Sequence, residues 1–536
     1  SNYNLSENKN IYLKFGNNYE NSNATYTGLT EYSFESNPNY NPKKDDNFKI
    51  IRTSLDIIET EKINSDLLKT RKIYGSFFDR KWWRENDIFI KAGDLGLENP
   101  EAQSPNSIFD LIRIGNRNDN FGVLRTFYVL GMEQTYSLKS NLMSFPTKYE
   151  YSTRVYWERF IDDKKIGNTP DARDGIYYEP AEVCSDEIVP EDGSCINYID
   201  LNQNNTYDSK ETIVGQSHHY ETTALSSYIF NSTNFDFLTI NSGLRIEIFE
   251  QERIDRLNGS TYLDQTTLEI LPSISFIKSF KNFSFFGGIH RGYTAPSSGA
   301  LKVTNFTLDS GLDLKSEKSW NKEIGIRSNP TSKLIDYELS FFHIDIEDMV
   351  AAGRGTKFNN LGNIITMGSE LSLKVILTNF LNINFLHTYL NSKVKDGILD
   401  QYTFISSGGP VSINGNTLPY SPKYTFLIGF DGYINNTTFR IDYKYVDKVY
   451  TDFHNLEEIG KLGIQGPVPS YNVINASFGY KYSEKINFNL IIKNITDEIY
   501  IGSRLHSNPG QDAANLSSGI LPGPRRHTNL EINYNF

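Results

Sequence analysis

HTNLEINYNF (527–536), the last ten residues of the chain, decides the fold. Successive side chains of a strand point to opposite sides, so Thr528, Leu530, Ile532, Tyr534 and Phe536 share one face. His527, Asn529, Glu531, Asn533 and Asn535 share the other. The alternation recurs upstream, where Phe439, Ile441, Tyr443 and Tyr445 oppose Thr438, Arg440, Asp442 and Lys444, and where Ile474, Ala476, Phe478, Tyr480 and Tyr482 share a face. A water-soluble sandwich turns its apolar face inward, whereas a membrane barrel turns it to lipid and its polar face to a wet lumen.

The links between strands decide between the two. Short turns are predicted at INSD near Asn64, NSTN near Ser232, SFKN near Lys281, NPTS near Pro330, YINN near Asn435 and YSEK near Glu484. Long polar loops are predicted at about 81–120, 163–214, 295–316, 394–420, 450–468 and 503–523. Counted back from the C-terminus, the turns fall on one side and the loops on the other, as a transmembrane antiparallel β-barrel requires and a soluble sandwich does not. About eighteen strands are expected, making residues 1–536 one all-β barrel unit with a long extracellular loop at about 163–214. Rings at the strand ends, as in YGSFFDRKWW (74–83) and YKYVDKVY (443–450), suit interfacial girdles.

Composition agrees. Hydrophobic residues are only 38% but aromatics are 13%, with 34 Tyr and 34 Phe. No apolar run reaches the roughly 18–20 residues of a membrane helix, so a closed barrel is the spanning structure left. The net charge of −12 argues against a nucleic-acid surface. Cys184 and Cys195 lie in an acidic stretch with no second pair to complete a zinc site. A disulfide there would contribute about 3 kcal/mol and imply an oxidising compartment; free thiols are the alternative. The opening SNYNLSENKN has neither initiator Met nor leader, so a non-native N-terminus is expected, either from trimming of a mature protein or from loss of an upstream region.

Several segments together resemble the barrel of TonB-dependent receptors. LIIKNITDEIYIGSR, with Asn494, Thr496, Asp497 and Tyr500, is similar to the family's Asn-Leu-Thr-Asp-x-x-Tyr signature, and PGPRRHTNLEINYNF to the Gly-x-Pro-Arg lead into its final strand. The terminal Phe536 resembles the C-terminal assembly signal of outer-membrane barrels. SEKSWNKEIGIRS places Glu317, Ser319, Asn321, Glu323 and Gly325 at the family spacing, and NNLGNIITMGSELSL does so for Asn360, Gly362, Gly368 and Glu370. GGIHRGYTAPS (287–297), GLTEYSFESNPNYNP (28–42) and YGSFFDRKWWRE (74–85) resemble the ferric dicitrate subgroup.

The resemblance implies a 22-strand barrel around a plug. Of this, the first four strands or so, the plug and the TonB-contacting box would lie outside the chain. It also implies an outer-membrane receptor in lipid, a ferric chelate (citrate or another siderophore) as ligand, and TonB as energising partner. A passive porin-like channel, an outer-membrane enzyme and a surface-binding barrel are the rivals.

An anionic chelate asks for guanidinium groups near the extracellular mouth, and Arg84, Arg291, Arg354, Arg504 and Arg525 are the candidates. DLNQNNTYDSKE (200–211) has the spacing of a calcium loop, with Asp200, Asn202, Asn204, Asp208 and Glu211 as oxygen donors and Thr206 offering its carbonyl; Asn205 replaces the usual Gly. A structural calcium and a merely solvated loop both fit. Adjacent His218 and His219 fall on opposite strand faces, and no catalytic constellation or catalytic cofactor is read from the sequence.

Overall fold

The structure, a computed structural model, describes residues 1–25, 27–92, 111–167, 198–199, 212–257, 259, 261–295, 315–329, 334–351, 359–402, 407–505 and 518–534. They form a 21-stranded antiparallel sheet in which two members, Tyr198–Ile199 and Ser407–Ser412, only extend hairpins. Nineteen long strands remain. They begin β1 (Asn2–Ser6), β2 (Lys9–Ser22), β3 (Asn47–Lys62), β4 (Leu67–Lys91), β5 (Leu111–Leu142) and β6 (Phe145–Gly167). Next come β7 (Thr212–Asn234), β8 (Thr239–Asp255), β9 (Thr261–Ser279), β10 (Phe283–Thr294), β11 (Glu317–Ser328) and β12 (Ile335–Glu347). The series ends with β13 (Gly362–Thr378), β14 (Leu381–Tyr402), β15 (Tyr424–Ile434), β16 (Thr437–Val446), β17 (Tyr471–Lys481), β18 (Ile486–Lys493) and β19 (His527–Tyr534).

Each strand pairs with its neighbours in sequence. At one end the links are 7–8, 63–66, 143–144, 235–238, 280–282, 329–334, 379–380, 435–436 and 482–485. The links at the other end are longer, except 256–260. The tight Asn435-Asn436 turn follows from its residues, since Asn435 takes φ 51° and Asn tolerates the left-handed conformation that a two-residue hairpin needs.

Several loop expectations are corrected. Hydrogen-bonded ladders run beyond the apolar segments, so β4 reaches Lys91 and β5 starts at Leu111, trimming the predicted 81–120 loop to 92–110. The 163–214 loop shortens to 168–211 for the same reason. The turn read at NSTN falls at 235–238 because Thr233 still pairs with Thr147.

The faces are inverted relative to a soluble protein. On β7 and β8, Leu225, Ile229, Ile246 and Ile248 are exposed, while Ser226 and Glu247 between them are buried. Leu268 and Ile270 are exposed on either side of buried Glu269. Apolar side chains would lose the hydrophobic contribution if this belt faced water; facing lipid, they keep it. Aromatic pairs border the belt, Phe77 with Tyr128 (5.4 Å) toward the loop end and Phe145 with Phe235 (4.9 Å) at the short turns. No helix among the described residues is long and apolar enough to cross a membrane.

Strand pairing does not close the ring, a difference from the expected closed barrel: among the described residues β1 pairs with β2 alone and β19 with β18 alone. The loop end is bridged instead by link 23–46, which carries a short helix, α1 (Glu31–Ser36), capped by Thr30. Leu29 and Ile520 exchange both backbone hydrogen bonds (2.7 and 2.8 Å). Gly28 is required here, because a Cβ would lie 2.2 Å from the Gly519 carbonyl carbon. Leu29, Val449, Val468, Ile501 and Ile520 form a small buried core in this cap.

Candidate ligand-binding site

On the inner face, opposite exposed Tyr128, Leu130 and Leu225, register brings one titratable residue from each of five strands into a row: Arg80 (β4), Arg125 (β5), Asp162 (β6), His218 (β7) and Asp255 (β8). Two residues nearer the short turns, the same strands contribute Phe78, Phe127, Phe160, Tyr220 and Arg253. Phe127 stacks on Phe160 at 4.4 Å and Phe160 on Tyr220 at 5.2 Å. The Arg253 guanidinium lies 5.2 Å from the Tyr220 ring centre, and that of Arg125 lies 5.4 Å from Phe160. Arg125 Nε donates to Asp162 Oδ1 at 2.8 Å, and Arg253 Nε donates to His218 Nδ1 at 3.3 Å, which keeps that nitrogen unprotonated.

The row lies at the loop end, above the apolar belt. On the outer face at this level the residues are already polar, with Arg159 Nη2 on Glu221 at 2.6 Å and Trp157 Nε1 donating to the same carboxylate. Lys164 and Arg84 continue the inner face upward from Asp162 and Arg80. Arg80, Arg84, Arg125, Lys164 and Arg253 thus face two carboxylates, Asp162 and Asp255, so these side chains carry an excess of positive charge. Stiff rings hold the guanidinium groups in place, which suits recognition of a compact anion with several acceptor oxygens.

The arginines singled out from sequence are not brought together. Arg84 belongs to this cluster, is 4% exposed and lies over Trp82 at 5.6 Å. Arg291 sits six strands away on β10, over Trp320 (5.3 Å) and 3.4 Å from Glu347. Arg504 is buried in the cap, where it pairs with Glu31 and donates to the carbonyls of Gly463 and Pro467 at 3.0 Å each. Burial pushes the Glu31 carboxyl up against the opposing pull of Arg504. Arg525 grips Asp497 with two hydrogen bonds, 2.9 and 2.6 Å. Arg354, Cys184, Cys195, Phe536 and the calcium-loop residues Asp200, Asn202, Asn204, Thr206, Asp208 and Glu211 lie outside the described residues.

The signature residues form a clamp between β18 and β19. Asn494, with φ 49°, donates from Nδ2 to the carbonyls of Glu498 (2.9 Å) and Pro524 (3.0 Å), while its Oδ1 accepts from Glu498 N. Asp497 also accepts from Arg526 N at 2.9 Å, and Arg525 together with that N–H holds its carboxyl well below the usual range. Thr496 is exposed in the turn, and Tyr500 stacks on Tyr471 at 4.3 Å. A family profile described as TonB dependent receptor-like, beta-barrel, matches residues 1–495.

The chain belongs to this family. TonB-dependent receptors are transport receptors of the outer membrane. No curated protein matches the chain in sequence. Among solved structures, the ferric citrate transporter FecA in its unliganded form aligns with a TM-score of 0.73 at 16% identity, over 99% of this chain and 68% of its own. The siderophore receptor PiuA from Acinetobacter baumannii gives 0.69 at 15%, over 99% and 73%. The ferric-catecholate import receptor Fiu from E. coli K12 gives 0.68 at 13%, over 100% and 73%. At such identities the likeness concerns the fold of the TonB-dependent barrel alone. Sequence reading missed Arg80, Arg125, Asp162, Tyr220 and Arg253; the available signal was their shared inward parity on consecutive hairpins.

Proposed function

We propose that the chain is the barrel of an outer-membrane receptor that captures an anionic ferric chelate at the cell surface and passes it inward with TonB as energising partner. The long links face the outside, where the ligand arrives. The observation that carries this reading is the cationic, ring-supported cluster on the inner face of β4–β8 at the loop end. Ferric citrate is the specific ligand we infer: it is compact and rich in carboxylate oxygens, and the name of the aligned ferric citrate transporter points the same way. Arg125→Gln with Arg253→Gln, made in the receptor displayed on cells, is expected to weaken binding of radiolabelled ferric citrate by at least about 10-fold, because each lost charge-assisted hydrogen bond is worth roughly 1.5–3 kcal/mol. Unchanged affinity in the double variant would remove the cluster from ligand recognition.

A further inference from the structure

We propose that Tyr220 is an anchoring donor of this site, giving its phenol O–H to an anionic oxygen of the bound chelate between Arg125 and Arg253. The proposal rests on the chelate-receptor reading and names one residue that does the recognising. Tyr220 is 5% exposed, yet among the described residues its hydroxyl has no hydrogen-bond partner. Buried polar atoms are paired in the great majority of cases, and a phenol that reaches the interior ordinarily finds an acceptor. The ring cannot swing away in search of one, since Phe160 stacks on one side and the Arg253 guanidinium lies over it. The charges that act on this hydroxyl are Arg253, Asp162 and Arg125.

A second buried donor on the same inner face, Arg80 Nε, also lacks an acceptor among the described residues. Two fixed donors without acceptors, beside guanidinium groups, select a ligand that brings acceptor oxygens and negative charge. Carboxylate oxygens meet both conditions, whereas a cationic complex meets neither.

The test is Tyr220→Phe in the full receptor in outer membranes, with ferric citrate as the probe. The substitution keeps the stacked ring and removes the unpaired hydroxyl. Affinity is expected to fall by about 10- to 100-fold, as for loss of a hydrogen bond to a charged acceptor, while the thermal midpoint of the unliganded protein stays level or rises. If the parent binds ferric citrate and Tyr220→Phe binds it equally, the hydroxyl is met by water and the assignment is overturned. A drop in both affinity and thermal midpoint would also overturn it, since the hydroxyl would then be structural. No ferric citrate binding by the parent would overturn the chelate reading and this assignment together.

Discussion

Arg504→Met is expected to open the cap without unfolding the sheet. Arg504 and Glu31 are nearly fully buried, with side-chain exposures of 1% and 8%, and they join segments 473 residues apart in sequence. Removing one member of a buried ion pair leaves the other charged and unpaired, which costs about 3–5 kcal/mol. The loss of donors to the Gly463 and Pro467 carbonyls acts in the same direction. At about 1.4 kcal/mol per factor of ten, local opening should rise by roughly a hundred- to a few thousand-fold. Hydrogen exchange reads this directly, because the Leu29 and Ile520 amides are held by the backbone bonds that cross the cap. Glu31→Met combined with Arg504→Met should recover most of the protection, since no lone buried charge remains. Unchanged exchange at Leu29 and Ile520 in Arg504→Met would refute the reasoning. So would an equal loss of protection along β5 to β7, which would mark global destabilisation.

Leu225→Arg tests the inverted faces: an exposed apolar residue facing lipid should cost about 2–4 kcal/mol when replaced by Arg, measured by urea unfolding in lipid vesicles, and a cost under about 0.5 kcal/mol would deny lipid contact. Asp497 supplies a pH signature. Its folded carboxyl is held low by Arg525 and Arg526, so its stabilising effect is complete above the unfolded value near about 4 and is lost as pH falls through the lower folded value. Protection of the amides at the β18–β19 clamp, taken relative to intrinsic exchange at each pH, should therefore fall on acidification in the parent but not in Asp497→Asn; matching profiles would contradict the assignment.

What was legible in the sequence is what two-residue periodicity and turn chemistry encode. β16, β17 and β19 are visible because lipid on one side and water on the other force strict alternation, as Phe439, Ile441 and Leu530 display. The 435–436 and 482–485 turns are visible because Asn and Ser-Glu-Lys punctuate apolar runs. Above the belt that forcing disappears. Trp82 to Lys91 continues as strand by backbone pairing with β5, although its composition reads as loop. The bridge from Leu29 to Ile520 is invisible for another reason: each partner is a small-residue segment, Gly28-Leu29 and Gly519-Ile520, whose meaning lies wholly in the other.

The candidate site shows the same limit more sharply. Arg80, Arg125, Asp162, His218 and Asp255 are unremarkable in their own segments, and a slip of one residue in any strand would send its member of the row to the lipid face. His218 and His219 illustrate this, because the first is buried against Arg253 while the second faces outward. Of the arginines that stood out from sequence, Arg504 and Arg525 sit near Gly or Pro in the segment that links β18 to β19. Such segments are where chain reversal needs anchoring, and Arg504 and Arg525 are accordingly held by Glu31 and Asp497. Charge in mid-strand, where backbone hydrogen bonds already fix the chain, anchors no such reversal: Arg125 pairs with Asp162 and Arg253 with His218 across the inner face, and the proposed function gives these guanidinium groups a ligand as well.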